Sequence, residues 1–349
     1  MYDTAILIGR FEPVHTGHLA LLAHALQAAG RVIVIIGSAF QARSPKNPFT
    51  WEERAEMLLG SLHEGDRARI DVVPVRDYYD EARWVCAVRK AVGKRTQPAS
   101  RIGLVGHFKD SSSSYLGSFP GWELIPLPRQ GEIDATMIRN AYFGATAQTI
   151  PITLSPFHDV LPPSTRQLLE RFASQPEFAE LQNEWRMLRG YREAWASAPY
   201  APVFVTVDAL LRCRDHVLLI RRAHAPGRGL LALPGGFIEQ RESIWQSCLR
   251  ELAEETHCDV PAQRLEQALR EVHVFDHPDR SQRGRTITHA HYFDLGMNDP
   301  LPDVRADDDA AQAMWMPIAD IAASEAGFFE DHFQILCHFL QERITTVDP

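Results

Sequence analysis

The sequence predicts an α/β protein of two domains, and three observations carry that prediction. Short β-branched runs alternate with helix-patterned segments through the first half, as in a parallel sheet covered by helices. Prolines at 151, 156, 162 and 163, then at 199 and 202, separate that half from a second one that opens on strands. A length of 349 residues suits two or three separately buried cores.

Composition narrows the class. Hydrophobic residues make up 45% and charged residues 23%, ordinary for a globular chain in water. A net charge of −9 argues against broad binding to nucleic acid or to an anionic membrane. The five cysteines, Cys86, Cys213, Cys248, Cys258 and Cys337, are scattered and never form C-x-x-C. That spacing suits reduced thiols in a cytoplasm better than a disulfide framework or a zinc site. No signal-peptide pattern opens the chain, and no run approaches the roughly 18 apolar residues a membrane span needs. A cytoplasmic protein is expected, and a homo-oligomer stays open.

The chain begins with an apolar run, residues 4–8, read as a buried strand. The loop Gly9-Arg10-Phe11-Glu12-Pro13-Val14-His15-Thr16-Gly17-His18 follows, and then Leu19, Leu21, Leu22, Ala25 and Leu26 at helical spacing, with Gly30 placed to stop the helix. The loop therefore joins a strand's C-terminal end to a helix N-terminus, where α/β sheets bind ligands. Free N–H groups and the dipole end favour a phosphate there. His15 and His18 are three apart and share the first turn. Gly9 and Gly17 allow close approach of a ligand. Two histidines can equally cap a helix by bonding to neighbouring backbone.

Residues 32–36 read as a second buried strand. Thr50 and Glu53 have capping-box spacing, so a helix should start near Trp51. Arg43, Lys46 and Arg54 place three cations around this loop and helix start. Residues 70–75 suggest a strand and 78–92 a helix containing Trp84, which could be core or could stack on a planar base. A short strand at 102–105 ends in Gly106-His107-Phe108-Lys109-Asp110 and four serines, small donors at a strand's C-terminal end. Residues 136–143 read as a helix whose start offers N–H groups, the Thr136 hydroxyl and the Arg139 guanidinium to a phosphate.

Together, G-R-F-E-P-V-H-T-G-H, K-N-P-F-T-x-x-E-R, G-H-x-K-D-S-S-S and I-x-A-T-x-I-R resemble the signature segments of a nucleotidyltransferase superfamily that transfers AMP or CMP onto a phosphate. Within it, they resemble nicotinamide mononucleotide adenylyltransferases. The resemblance covers about residues 1–170 and implies a Rossmann-like nucleotidyltransferase domain with a parallel sheet. It also implies that His15, His18 and Arg139 meet ATP phosphates and that Trp84 stacks on nicotinamide. The ATP and mononucleotide set is then Gly9, Arg10, Phe11, Lys46, Arg54, Trp84, Gly106, Lys109 and Thr136. Asp134 departs from the family, where serine is commoner; its carboxylate repels triphosphate unless Mg²⁺ intervenes or it caps the helix.

After the prolines, residues 177–195 read as a long helix with Phe178, Leu181, Trp185, Leu188 and Trp195 on its apolar side. The expected domains are 1–175 and 201–349, with 176–200 as a helical linker. Strands at 203–211 and 217–221 open the second. Gly236, Glu242, Arg250, Glu251, Leu252, Glu254 and Glu255 then fall at G-x5-E-x7-R-E-U-x-E-E, the Nudix box. Crowded carboxylates at three- and four-residue spacing destabilise a bare helix. A divalent cation reverses that sign, so Glu251, Glu254 and Glu255 are the expected ligands for Mg²⁺ or Mn²⁺. Arg250 is expected to orient a carboxylate. His257 stands where the box ends in glycine, and so should adopt positive φ; Cys258 replaces an aliphatic residue.

The segments around Val274–Arg280 and Arg283–Ala290 resemble the ADP-ribose-hydrolysing Nudix domain fused to the adenylyltransferase in certain bacterial proteins, an α/β/α sandwich. The resemblance implies ATP, nicotinamide mononucleotide, NAD and ADP-ribose as ligands. Arg283 and Arg285 could hold phosphates or be rim charges; His289 and His291, with no third ligand nearby in sequence, suit packing or surface. Glu254 is a candidate base. A second domain acting as a nucleotide sensor, a different Nudix substrate, or a different phosphate acceptor are the rival readings.

Overall fold

A computed structural model describes residues 1–106, 115–127, 134–146, 148–307 and 309–344. The chain divides into two compact units, residues 1–182 and a second beginning at Asn183.

The first unit runs β1 (Tyr2–Gly9), α1 (Thr16–Ala28), β2 (Ala29–Ile36), α2 (Trp51–Gly60), α3 (Glu64–Arg67), β3 (Ile70–Pro74), α4 (Glu81–Gly93), β4 (Ile102–Gly106), β5 (Glu123–Pro126) and α5 (Ala135–Gly144). The short α6 (Ile150–Thr153), α7 (Pro163–Phe172) and α8 (Pro176–Ala194) follow. The five strands pair in parallel in the order β3-β2-β1-β4-β5. Alternation decides the layers: Ile6, Ile33 and Ile35 pack with Val88, Ala91 and Val92 of α4 on one face. Ala5, Leu7, Val32 and Val34, on the opposite face, are equally buried. Strand order reverses at β1, so the loop leaving Gly9 lies at the topological switch point where such sheets bind ligands.

Local chemistry sets the helix ends. The capping box of Thr50 and Glu53 starts α2 as expected. Asp80 caps α4, so that helix begins three residues after the expected start at 78; Tyr79 ahead of it has φ of +50°. Gly30 does not stop α1, which ends at Ala28 and passes straight into β2.

The second unit has β6 (Val203–Cys213), β7 (His216–Arg222), β8 (Leu231–Ala232), β9 (Gly235–Phe237), α9 (Ile244–Thr256), α10 (Ala262–Ala268), β10 (Leu269–Phe275), β11 (Arg285–Asp294) and β12 (Ala310–Pro317). The short α11 (Ile318–Ile321) and α12 (His332–Leu340) close it. The main sheet order is β10-β11-β6-β7-β12; β11 and β6 are parallel and the other pairs antiparallel. Val207, Ala209 and Leu211 of β6 face Cys248 and Leu252 of α9, while Leu210 between them faces Ile335, Leu336 and Leu340 of α12. One helix layer on each face makes the α/β/α sandwich.

α8, expected as a linker, is shared instead. Phe178 packs on Tyr142, Phe143 and Phe172 in the first unit, and Gln182 donates to the Phe143 and Ala145 carbonyls. Further along, Glu184 accepts from the Gly227 N–H and Tyr191 packs on Phe204 in the second unit. Trp195 lies beyond the helix end, 46% exposed.

The first unit's loops are tied by Arg54, whose guanidinium is 1% exposed. Its Nη1 donates to the Arg10 and Gly37 carbonyls at 2.8 Å each, its Nη2 to Ser38 at 3.1 Å, and its Nε lies 3.2 Å from Glu12 Oε1. Leaving one member of a buried pair without the other costs about 3–5 kcal/mol. Arg54→Met should therefore lower the stability of the first unit by that amount in equilibrium urea unfolding; a loss below about 1 kcal/mol would show that the loops hold without it.

Candidate active sites

In the first unit the two motif histidines do cap α1, reciprocally. His15 Nδ1 accepts from the Gly17 N–H at 3.1 Å, and His18 Nδ1 accepts from the His15 N–H at 3.2 Å. A neutral imidazole that accepts at Nδ1 carries its proton at Nε2. Capping therefore leaves each ring with its other nitrogen as a donor. The rings lie 3.8 Å apart, with Phe11 edge-on to His18 at 5.0 Å. Burial, then the neighbouring His15, pushes the His18 pKa well below its ordinary value, so it acts as a neutral donor.

Phe11 sits in the left-handed region, φ +58°, and is buried; a Cβ on Gly9 would lie 2.9 Å from its ring. Gly9 thus serves the packing of Phe11. Arg10 is exposed, and its carbonyl accepts from Arg54. Glu12 is buried below the loop; burial pushes its carboxyl up to about 8 against the pull of Arg54 and Arg139.

Arg139 reaches the same loop, donating to the Glu12 carbonyl and, at 3.2 Å, to the Thr136 hydroxyl. Burial pushes it down to about 10. His15, His18, Arg139 and Thr136 therefore belong to one neighbourhood around the β1 loop. Two expectations change here. Asp134 caps α5, its Oδ1 accepting from the Thr136 and Met137 N–H groups at 2.8 and 3.1 Å, so those groups are taken rather than open to a phosphate. Arg54, expected beside the ligand, is sealed into the loop framework by its carbonyl bonds.

Trp84 is half-buried in an aromatic group, edge-on to Tyr115 at 5.5 Å and Phe119 at 5.8 Å. Lys46 is half-buried in the loop before α2. Gly106 has a packing reason, since a Cβ there would meet Leu116 at 2.7 Å. Lys109 and its serine-rich stretch lie outside the described residues. Sequence reading missed Asp77, which accepts from the Ser38 hydroxyl at 2.6 Å and from Gln41 at 3.2 Å and so fixes the loop after β2. Ser38 and Phe40, at positive φ, were the hidden constraint.

In the second unit Ser243 and Gln246 form a capping box that starts α9, and His257 ends it at φ 43°, as the missing glycine required. Arg250 is the hub. Its Nε lies 3.0 Å from Glu242, its Nη1 2.8 Å from Glu251 and 2.9 Å from Glu254, and its Nη2 donates to the Phe237 carbonyl. It orients three carboxylates rather than one. Glu255 is buried, accepts from the Gly235 N–H at 2.8 Å, and is pushed up to about 8 by burial. A Cβ on Gly236 would lie 2.5 Å from Glu251 Oε1, so only glycine leaves room for that carboxylate.

This donor set fits a hard divalent cation: oxygens only, one of them desolvated, on a single helix turn. The fit needs rearrangement. Among the described residues Glu251, Glu254 and Glu255 do not bring one oxygen each within 4.8 Å of the others, because the Arg250 guanidinium bridges the first two. Arg285 is a rim charge facing Asp276. Arg283, unforeseen in this role, lies over the Phe237 ring at 5.0 Å with Glu330 at 3.7 Å. His291 is buried in β11, as packing required.

Comparison with known proteins matches both units. A NUDIX domain model matches residues 202–339, and a Cytidylyltransferase-like model matches residues 6–71. The nicotinamide/nicotinic acid mononucleotide adenylyltransferase of Acinetobacter baylyi is 37% identical over 186 residues, 53% of this chain and 94% of that protein. The nicotinamide-nucleotide adenylyltransferase of Pyrococcus abyssi is 30% identical over 47% of this chain and 81% of its own. The crystal structure of a bifunctional NMN adenylyltransferase/ADP ribose pyrophosphatase from Francisella tularensis, complexed with AMP and a manganese ion, is 36% identical with TM-score 0.89. It spans 98% of this chain and 100% of that one.

Metal binding at α9 should depend on both Gly236 and pH. Proton and cation compete for Glu255, so Mn²⁺ affinity should rise about tenfold per pH unit from about pH 6 and level off above about 8. Gly236→Ala, by displacing Glu251, should weaken Mn²⁺ by about tenfold or more. Counting free Mn²⁺ by electron paramagnetic resonance checks both; a flat pH profile would remove Glu255 from the ligand set.

Proposed function

Since the chain belongs to the nicotinamide mononucleotide adenylyltransferase family and carries a NUDIX hydrolase domain, we propose that it both makes NAD and hydrolyses ADP-ribose. The first unit would join ATP to nicotinamide mononucleotide, releasing pyrophosphate. The second would cleave ADP-ribose to AMP and ribose 5-phosphate. All five cysteines are free and no described helix is long and apolar enough to cross a membrane, which supports a cytoplasmic setting.

The capped histidine pair carries the first half of this reading. The mononucleotide phosphate attacks the α-phosphorus of ATP in line, so no side-chain nucleophile is required. What the protein must supply is position and charge stabilisation. Caps that hold Nδ1 of both rings fix their tautomer and aim, so Nε2–H can donate to phosphate oxygens without reorganising. Arg139, held against the Glu12 carbonyl and Thr136, adds a permanent positive charge on the same loop. Arg54 and Glu12 keep the loop in shape beneath.

In the second half, Glu251, Glu254 and Glu255 would hold Mg²⁺ or Mn²⁺, which neutralises a diphosphate and lowers the pKa of bound water. Arg250 keeps Glu251 and Glu254 aligned and Glu242 alongside them. Gly235 fixes Glu255 by its N–H, and Gly236 gives Glu251 its space. Phe237 and Arg283 offer a flat cationic and aromatic wall near the box for the rest of the substrate. The name of the Acinetobacter relative favours testing nicotinic acid mononucleotide as a second acceptor.

Two variants separate the halves. His18→Ala removes a transition-state donor, a loss of about 10²–10³ in kcat for NAD formation, while the lost cap costs only about 1 kcal/mol of stability. Glu251→Gln should abolish ADP-ribose hydrolysis and leave NAD synthesis at the parent rate. Product assays with ATP and each mononucleotide, and with a panel including ADP-ribose, read both. Wild-type protein that forms neither dinucleotide under Mg²⁺ or Mn²⁺ would end the first assignment, and hydrolysis surviving in Glu251→Gln would end the second.

A further inference from the structure

We propose that Glu271, His273 and His338 form a binding site for a borderline transition-metal ion, zinc foremost, at the edge of the second unit's sheet and separate from the α9 carboxylates. Among the described residues it is the one group of three metal-capable side chains whose ligand atoms all lie within 4.8 Å of one another. The site is empty.

The fold builds it from two elements. β10 is an edge strand, and a register shift between Leu269 and Glu271 precedes the pair, the kind of irregularity that re-aims side chains. Glu271 and His273 are two apart, so they leave the strand on one face together with Phe275. That face meets α12, and Phe275 packs against the same core as Leu336 and Leu340 of that helix. His338, two residues before Leu340, brings Nε2 to 3.4 Å from Glu271 Oε1; His273 Nδ1 is 3.9 Å from the same oxygen.

These separations are long for hydrogen bonds, which cluster near 2.9 Å. The shorter is close to the edge of a tetrahedron drawn around zinc with ligand bonds of about 2.0–2.1 Å, roughly 3.3 Å, and the longer exceeds it by about half an ångström. The donor set has the right softness: two imidazoles and one carboxylate suit zinc with a fourth position open to water, whereas Mg²⁺ and Ca²⁺ favour oxygen throughout. Aromatic rings flank the two imidazoles. The His338 ring is edge-on to Phe275 at 5.3 Å and Phe339 at 4.9 Å, and the His273 ring to Phe275 at 4.8 Å. Glu271 is exposed and gives the ion an entry path. The three residues are split across more than sixty positions, so spacing along the chain does not reveal them. A bound ion would pin α12 to the edge strand, and its effect would appear as stability.

The test uses the metal-stripped full chain, titrated with Zn²⁺ against a chromogenic chelator in a large excess of Mg²⁺ to occupy the oxygen-only ligands. The parent should bind one zinc ion that His338→Ala and Glu271→Gln each weaken at least tenfold, since even indirect partners of a metal ligand typically cost about 10–100-fold. Glu271→Gln is isosteric and exposed, so it keeps the fold if His338→Ala does not. Zinc should also raise the Tm of the parent and leave that of Glu271→Gln unmoved. Co²⁺ should give the intense visible bands of a tetrahedral site in the parent and lose them in His273→Ala. Equal zinc affinity in parent and Glu271→Gln, or no zinc binding by the parent in excess Mg²⁺, would overturn the site.

Discussion

The nucleotide end of the first unit depends on one buried pair of side chains, Glu12 and Arg54. A parallel sheet fixes where strands end but not the shape of the loops that leave them. Here a guanidinium placed beneath the loops after β1 and β2 collects their carbonyls and anchors them to α2. A charge in that position is expensive unless every donor is used and a carboxylate answers it. Arg54 makes four carbonyl hydrogen bonds and has the Glu12 carboxyl beside its Nε, and Glu12 in turn offers its carbonyl to Arg139. The pair therefore sets both the loop that carries the histidines and the arginine that approaches it from α5.

The second unit solves the opposite problem with the same residue type. Glu242, Glu251 and Glu254 crowd one arginine, and this guanidinium is partly exposed, answered by three acids and one carbonyl. Repulsion that would splay the acids is held in check by one positive charge. The close approach of Gly235 and Gly236 to the helix completes the arrangement. One arginine makes a floor beneath the loops and the other gathers a cluster of acids.

Much of this was legible in the chain. Alternating β-branched runs gave the parallel sheet, Thr50 and Glu53 gave the start of α2, and the box spacing gave α9 with its carboxylates and its left-handed end at His257. What stayed hidden was the destination of long polar side chains. Arg54 looks like any loop cation in sequence, and nothing local says that four backbone carbonyls await it. Asp134 was open on sequence between repelling a phosphate and capping the helix, and the cap is what forms. His15 and His18 were open to two descriptions, capping or ligand binding, and the reciprocal cap shows these as compatible, since one ring nitrogen serves each. Asp77 and Phe237 carried no motif, and Arg283 was open between phosphate contact and rim charge, because loops at positive φ and cross-element stacking leave little periodic trace.

α8 has a consequence for anyone dissecting the molecule. A cut before Pro176 would strip Phe178 and Gln182 from the amino-terminal piece, baring the rings of Tyr142, Phe143 and Phe172 and orphaning two carbonyls. A cut after Ala194 would deprive the carboxy-terminal piece of Glu184 and Tyr191, leaving the Gly227 amide and Phe204 uncovered. Neither fragment is whole without a stretch of this helix. Separately expressed halves should each carry their own copy of it, or sticky, half-finished surfaces will be mistaken for properties of the enzyme.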